Sequence, residues 1–316
     1  MTAPINRLLL ATDFSDCGMQ AEEHASFLSR TFRAPVEVFH VLELYPGLDP
    51  EYPVNQIYLD EVRRDADEQL ARSVCRFQDQ GLTAVGRYVH GIHSVQICAA
   101  AAESHADLIV LGTRGKTGFE HLLLGSTAER VVVHAPCPVF AVCRINPQAA
   151  AGNALGFQHI LAPIDFSDCS LDALEYAVQI GKQLKASITV LHVLEPVSYG
   201  LDLTLIHTSE RERSRAQIET ELDALVQAMT LEGVTVHRTI RGGTPADSLL
   251  HVIEETRCDL VVMGTHGRRG LSHLVNGSVA ESVLRRAPCP VLTVKSPKFA
   301  PGHRRVVSRT GVPKSA

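Results

Sequence analysis

Asp107 to Cys143 reads DLIVLGTRGKTGFEHLLLGSTAERVVVHAPCPVFAVC, and this stretch decides the fold. Asp107-Leu-Ile-Val-Leu is a continuous apolar run of strand length that stops at a glycine, the pattern of a sheet strand covered on both faces. Gly112, Gly115, Gly125 and Ser126 follow, and glycines at a strand end let backbone N–H groups approach a ligand without a side chain in the way. Gly125-Ser126 then opens a helix whose first N–H groups point into the loop. Loop amides and a helix N-terminus together form an anion site, best suited to phosphate.

The stretch occurs twice. Asp259 to Val294 repeats it, with Gly264, Gly267, Gly277 and Ser278 at the same internal spacing. A constant offset of 152 residues also matches Asp13-Phe-Ser-Asp-Cys17 with Asp165-Phe-Ser-Asp-Cys169, and His40-Val-Leu-Glu43 with His192-Val-Leu-Glu195. Ala135-Pro-Cys-Pro-Val139 pairs in the same way with Ala287-Pro-Cys-Pro-Val291. An offset held over roughly 130 residues marks a duplicated domain, not a short solenoid repeat.

Each copy alternates strand and helix. In the first, Arg7 to Ala11 reads as a strand, a helix capped by Ser15 or Asp16 runs to about Phe32, and Val36 to Leu42 is the second strand. After a Pro/Gly/Asp/Tyr-rich loop from Glu43 to about Gln56, a charged helix runs from about Ile57 to Asp79. Thr83 to His90, a helix over about Ser94 to Ser104, the glycine-loop unit and Pro138 to Cys143 complete the copy. Five such alternations predict an α/β fold with a parallel sheet, right-handed crossovers and helices on both faces. The expected boundaries are 1–145 and 158–296 for the two domains, 146–157 for an Ala/Gly/Asn-rich linker, and 297–316 for a disordered basic tail.

The chain of 316 residues has 45% apolar and 21% charged residues, as an ordinary globular protein does. A net charge of −5 gives no reason to expect a nucleic-acid or membrane partner, and the few basic charges of the tail are weak evidence for one. No apolar run approaches the roughly 20 residues of a membrane span, so a cytoplasmic location is the default expectation. Eight cysteines lack any C-x-x-C pair and read as small buried residues, not as bridges or zinc ligands. The 15 histidines include the repeat pairs His40/His192 and His121/His273, but no metal-binding spacing, so structural or surface roles are expected and no metal site.

In a parallel sheet of this kind ligands bind beyond the carboxyl ends of the strands, and Asp13, Val41 and Gly112 all lie there. An Asp ending the first strand, the G-x2-G-x9-G-[ST] loop and the Ala-Pro-Cys-Pro-Val that follows resemble the universal stress protein family, in a tandem form with two fused domains. The resemblance implies two Rossmann-like domains, each with a five-stranded sheet of order 3-2-1-4-5, and one ATP or other adenine nucleotide per domain. It places Asp13 and Val41 against ribose and adenine, and Gly112, Thr113, Gly115, Gly125, Ser126 and Thr127 around the phosphates. In the second copy the corresponding residues are Asp165, Val193, Gly264, Thr265, Gly267, Gly277, Ser278 and Val279. It also implies pairing of the last strands, within the chain or between chains of a homo-oligomer, and a role in stress-response regulation.

The chemistry of these residues agrees with those roles. An ionised Asp accepts hydrogen bonds from vicinal ribose hydroxyls, and adenine needs an apolar slot. Arg114 and His266 hold equivalent loop positions within reach of phosphate, as do Lys116 and Arg268. Magnesium would arrive on the phosphates. Alternatives stay open: Asp13 and Asp165 as helix-start residues, the glycines as a tight connection that holds nothing, a slow nucleotide hydrolase, or a partner-binding scaffold. A P-loop is excluded because Val110 stands where its first glycine belongs, and G-x-G-x-x-G is absent, so a nicotinamide cofactor has no support.

Overall fold

Leu8–Ala11 forms β1, an apolar strand with every residue buried. It is flanked on both sides by parallel partners, β2 (Val36–Leu42) and β4 (Leu108–Gly112). Such a strand has no face open to water, which is why its sequence is uninterrupted Leu-Leu-Leu-Ala with no alternation. β3 (Ala84–His90) extends the sheet beyond β2, and β5 (Val139–Val142) beyond β4, giving the order β3-β2-β1-β4-β5. All four pairings are parallel. The computed structural model describes residues 5–43, 52–115, 124–142, 156–195, 206–266 and 277–295. It divides into two units, Met1–Gly156 and Phe157–Ala316.

Helices occupy both faces of this sheet. α1 (Asp16–Phe32) packs on β1, β4 and β5, and α2 (Pro53–Asp79) packs on β2 and β3. α3 (His93–Glu103) and α4 (Ser126–His134) pack against each other, α3 also touching β2 and α4 touching β5. The second unit repeats the plan with β6 (His159–Pro163), α5 (Asp168–Leu184), β7 (Ser187–Leu194), α6 (Ile206–Leu231), β8 (Val236–Gly242), α7 (Pro245–Thr256), β9 (Leu260–Gly264), α8 (Ser278–Arg286) and β10 (Val291–Val294). Its sheet order is β8-β7-β6-β9-β10. Counted within each unit the order is therefore 3-2-1-4-5, as the resemblance implies.

Two local expectations need correction. α2 begins at Pro53, not near Ile57, because Pro at the first helical position loses only an N–H that would have no intrahelical partner anyway. Five cysteines are buried, but Cys75 is exposed on α2 and Cys98 is half-buried; none of the described cysteines is bridged. Cys143, the tail and linker residues 146–155 lie outside the described residues. Among the described residues no helix is long and apolar enough to cross a membrane.

Candidate functional site

Sheet register brings the sequence-predicted residues together. Ala11 is level with Phe39 on β2 and with Leu111 on β4, so two residues further on Asp13, Val41 and Thr113 leave the carboxyl edge side by side. In the second unit Ala162 is level with Val190 and Leu161 with Val261, which puts Asp165, Val193 and Thr265 in the same relation.

The turn that carries Asp13 is built from short polar bonds. Asp13 Oδ1 accepts from Ser15 N–H at 3.1 Å and from Ser15 Oγ–H at 2.6 Å. Ser15 Oγ in turn accepts from Gly18 N–H and caps α1. The helix-start function therefore falls to Ser15, and Asp13 orients Ser15. Asp165 accepts from Ser167 N–H at 3.0 Å and Ser167 Oγ–H at 2.5 Å, and Ser167 Oγ caps α5. Both aspartates are partly exposed at the sheet edge. The residues that follow them, Phe14 and Phe166, hold φ of 57° and 63°. A left-handed conformation is costly for an aromatic residue, about 1–2 kcal/mol, and the same cost occurs at the same place twice.

The glycine loop closes on itself. Thr113 N–H donates to Val142 O, continuing the sheet, and Gly125 N–H returns to Thr113 O at 2.7 Å. Thr265, Val294 and Gly277 make the equivalent bonds. A Cβ on Gly125 would come 3.2 Å from Thr113 O, and one on Gly277 would come 3.2 Å from Thr265 O, so this closure requires small residues. Helices α4 and α8 start at Ser126 and Ser278 with Gly125 and Gly277 as N-caps, and neither has a side-chain cap. A glycine N-cap offers no side chain to accept from the first N–H groups, an arrangement that favours an anion there.

Gly112 and Gly264 carry a packing demand as well. A Cβ at either would lie about 3 Å from the backbone of Cys17 or Cys169, so these glycines let α1 and α5 approach the strand end. Cys17 Sγ donates to Val142 O, and Cys169 Sγ to Val294 O, which ties the same helices to the last strands. Gly115 approaches the aspartate: a Cβ there would stand 2.8 Å from Asp13 Oδ2.

Val41 is buried, whereas Val193, Thr127, Val279, Arg114 and His266 are half-buried and Ser126 and Ser278 exposed. His266 Nδ1 lies 2.9 Å from Thr265 Oγ1. Gly267, Lys116, Arg268, His121 and His273 lie outside the described residues. Among the described residues no group of three or more His, Cys, Asp or Glu side chains gathers as a metal site. The sequence left His40 and His192 as structural or surface residues, yet both stand beside the aspartate turn. Their Nδ1 atoms bond Thr12 O at 2.8 Å and Ile164 O at 2.7 Å. Their occurrence at equivalent positions was the available signal.

Two segments of the chain, residues 4–142 and 156–295, match the model of the universal stress protein family. Universal stress protein MJ0531 of Methanocaldococcus jannaschii is 34% identical over 143 residues, which are 45% of this chain and 84% of that protein. Universal stress protein Slr1230 of Synechocystis is 24% identical over 322 residues, covering 92% of this chain and 100% of that one. The crystal structure of a universal stress protein from Archaeoglobus fulgidus aligns with a TM-score of 0.69 at 27% identity, over 92% of this chain and 96% of that chain. With the family model matched once in each half, the chain belongs to the universal stress protein family and carries two of its domains in tandem.

Proposed function

We propose that each unit binds one adenine nucleotide, ATP with magnesium carried on its phosphates, and that occupancy regulates the protein's conformation or its choice of partner in a stress response. The observation that carries this reading is the duplicated arrangement at the carboxyl edge of the sheet. Each unit has a carboxylate on a strained turn and a glycine loop whose ends are hydrogen-bonded to each other, and in the first unit Gly115 approaches Asp13. Asp13 and Asp165 would accept from the ribose hydroxyls, and Val41 and Val193 would border the base. The N–H groups of the loop and of the α4 and α8 N-termini would meet the phosphates, with the hydroxyls of Ser126 and Ser278 and with Arg114 and His266 alongside. The glycine positions support the fit, because a side chain at Gly115 would occupy the space beside Asp13. Thr127 has Val279 as its counterpart, so the second site lacks one hydroxyl and should bind within about tenfold of the first.

The same reading pairs β5 with β10 inside the chain, or with the last strand of another copy. Val139-Phe-Ala-Val142 and Val291-Leu-Thr-Val294 are almost wholly apolar and buried, as strands inside a sheet are. A cytoplasmic location suits this role.

Titration calorimetry of nucleotide-stripped protein with ATP and magnesium tests the reading, beside Asp13→Ala and Asp165→Ala. Two sites are expected, each selectively weakened when its own aspartate is replaced. Absence of binding would overturn the proposal, and sustained phosphate release over hours in the same samples would replace a regulator with a slow hydrolase.

A further inference from the structure

His40 and His192 sit against the aspartate turns in the same way in both units. We infer that they are positioning residues, fixing Asp13 and Asp165 for the ribose end of the ligand; this rests on the nucleotide reading above. Thr12 N–H is used by Phe39 O, and its carbonyl lies where the chain leaves the sheet. His40 Nδ1 bonds that carbonyl at 2.8 Å, and since a carbonyl only accepts, the proton must be on Nδ1. On the other side of Asp13, the Phe14 ring lies 4.8 Å from the His40 ring, tilted by 41°. One side chain therefore holds the residue before the aspartate by a hydrogen bond and the residue after it by ring contact.

The second unit repeats the clamp with different surroundings. His192 Nδ1 bonds Ile164 O at 2.7 Å, and its ring lies 5.3 Å from that of Phe166. In the first unit Thr12 Oγ1 also accepts from Phe14 N–H, but its equivalent is Ile164, which has no hydroxyl. There the turn uses Ser170 Oγ, 3.4 Å from Asp165 N–H, where the first unit has Gly18. The Thr12 bond has thus been exchanged for the Ser170 bond, while the histidine clamp, the left-handed phenylalanine and the serine bonds to the aspartate are common to both. A left-handed Phe does not hold by its own preference, so the shared clamp holds the turn on which the serine-bonded carboxylate sits.

The histidine is thus expected to act through the aspartate. The test uses the full chain with Asp165→Ala, so that the first site is the tighter one for ATP, and inorganic triphosphate as a probe of the phosphate end. His40→Phe keeps a ring but removes the donor, and should weaken ATP about tenfold while leaving triphosphate affinity within about twofold. His40→Asn, whose amide can donate to Thr12 O, should restore most of the loss. With Asp13→Ala already present, His40→Phe should cost nothing more. Equal losses of ATP and triphosphate, unchanged ATP affinity in His40→Phe, or a full additional loss in the Asp13→Ala background would each overturn the inference. Failure of unmodified protein to bind ATP would instead remove the nucleotide reading beneath it.

Discussion

Gly115 lies so close to Asp13 that a Cβ built on it would stand 2.8 Å from Asp13 Oδ2. The contact joins the glycine loop to the strand-end carboxylate, the two halves of the proposed ligand crevice. Gly115→Ala should displace either the carboxylate or the loop and weaken ATP at the first site on the order of tenfold, with little effect on stability. In an Asp13→Ala background the obstacle is gone, and the alanine should add no further loss. Calorimetry on the four proteins of this cycle checks the expectation; an alanine penalty that persists without Asp13 would place the constraint in the loop backbone instead.

Phe14 holds φ of 57°, where only glycine rests without strain. Phe14→Gly and Phe14→Ala both lose the contact with His40, so their difference isolates the backbone. The glycine variant should be the more stable by about 1 kcal/mol, the reverse of the order expected at an ordinary helix position. Urea unfolding of the first unit measures this. Alanine equal to or better than glycine would mean that the turn is free to adopt a negative φ.

These cases mark what the sequence could and could not disclose. The duplication, the parallel sheet and the crevice residues were legible because each rests on a local pattern: apolar runs such as Leu8–Ala11, or glycines at fixed spacing. The strained turn was not, since phenylalanine has no preference for positive φ and only the surrounding clamp holds it there. The demand of α1 on Gly112 was hidden for a related reason. A glycine spaced for a ligand and a glycine spaced for helix packing look alike in one dimension, and only after folding would a Cβ on Gly112 come within about 3 Å of Cys17.

Glu22, Ser73 and Arg76 join α1 to α2 in the first unit. Glu22 is 6% exposed, Ser73 Oγ donates to it at 2.7 Å, and Arg76 donates from Nε at 2.5 Å and Nη2 at 2.8 Å. The equivalent residues in the second unit are Leu174, Leu225 and Ala228, all buried and apolar. The Arg76 side chain is itself 42% exposed, so Arg76→Ala should destabilise the first unit by about 1–2 kcal/mol, water replacing only part of what the cation gives Glu22. Replacing all three together by Glu22→Leu, Ser73→Leu and Arg76→Ala should be near neutral or stabilising, as apolar replacement of a whole partly buried ion cluster often is. Denaturant midpoints of the single and triple variants decide it. A triple variant less stable than Arg76→Ala would show that the ionic cluster is stabilising beyond what apolar packing supplies.

His24 on α1 is 2% exposed, with its ring 5.7 Å from that of Phe140. Burial lowers its pKa from 6.5 to about 4. The unfolded chain therefore binds a proton at pH values where the folded unit does not. Stability from this residue is intact above about pH 6.5, falls as pH decreases through the window, and stops falling below about pH 4. At pH 5 the loss relative to neutral pH should be about 2 kcal/mol. His24→Phe keeps an aromatic ring in place and removes the titrating group, so the gap between urea midpoints at pH 7 and pH 5 should shrink by that amount. Carboxylates titrating in the same range contribute equally to both proteins and cancel in the comparison. Identical pH profiles for the two would mean that His24 takes up its proton in the folded state as readily as in the unfolded one, and that water or a charge reaches it inside the fold.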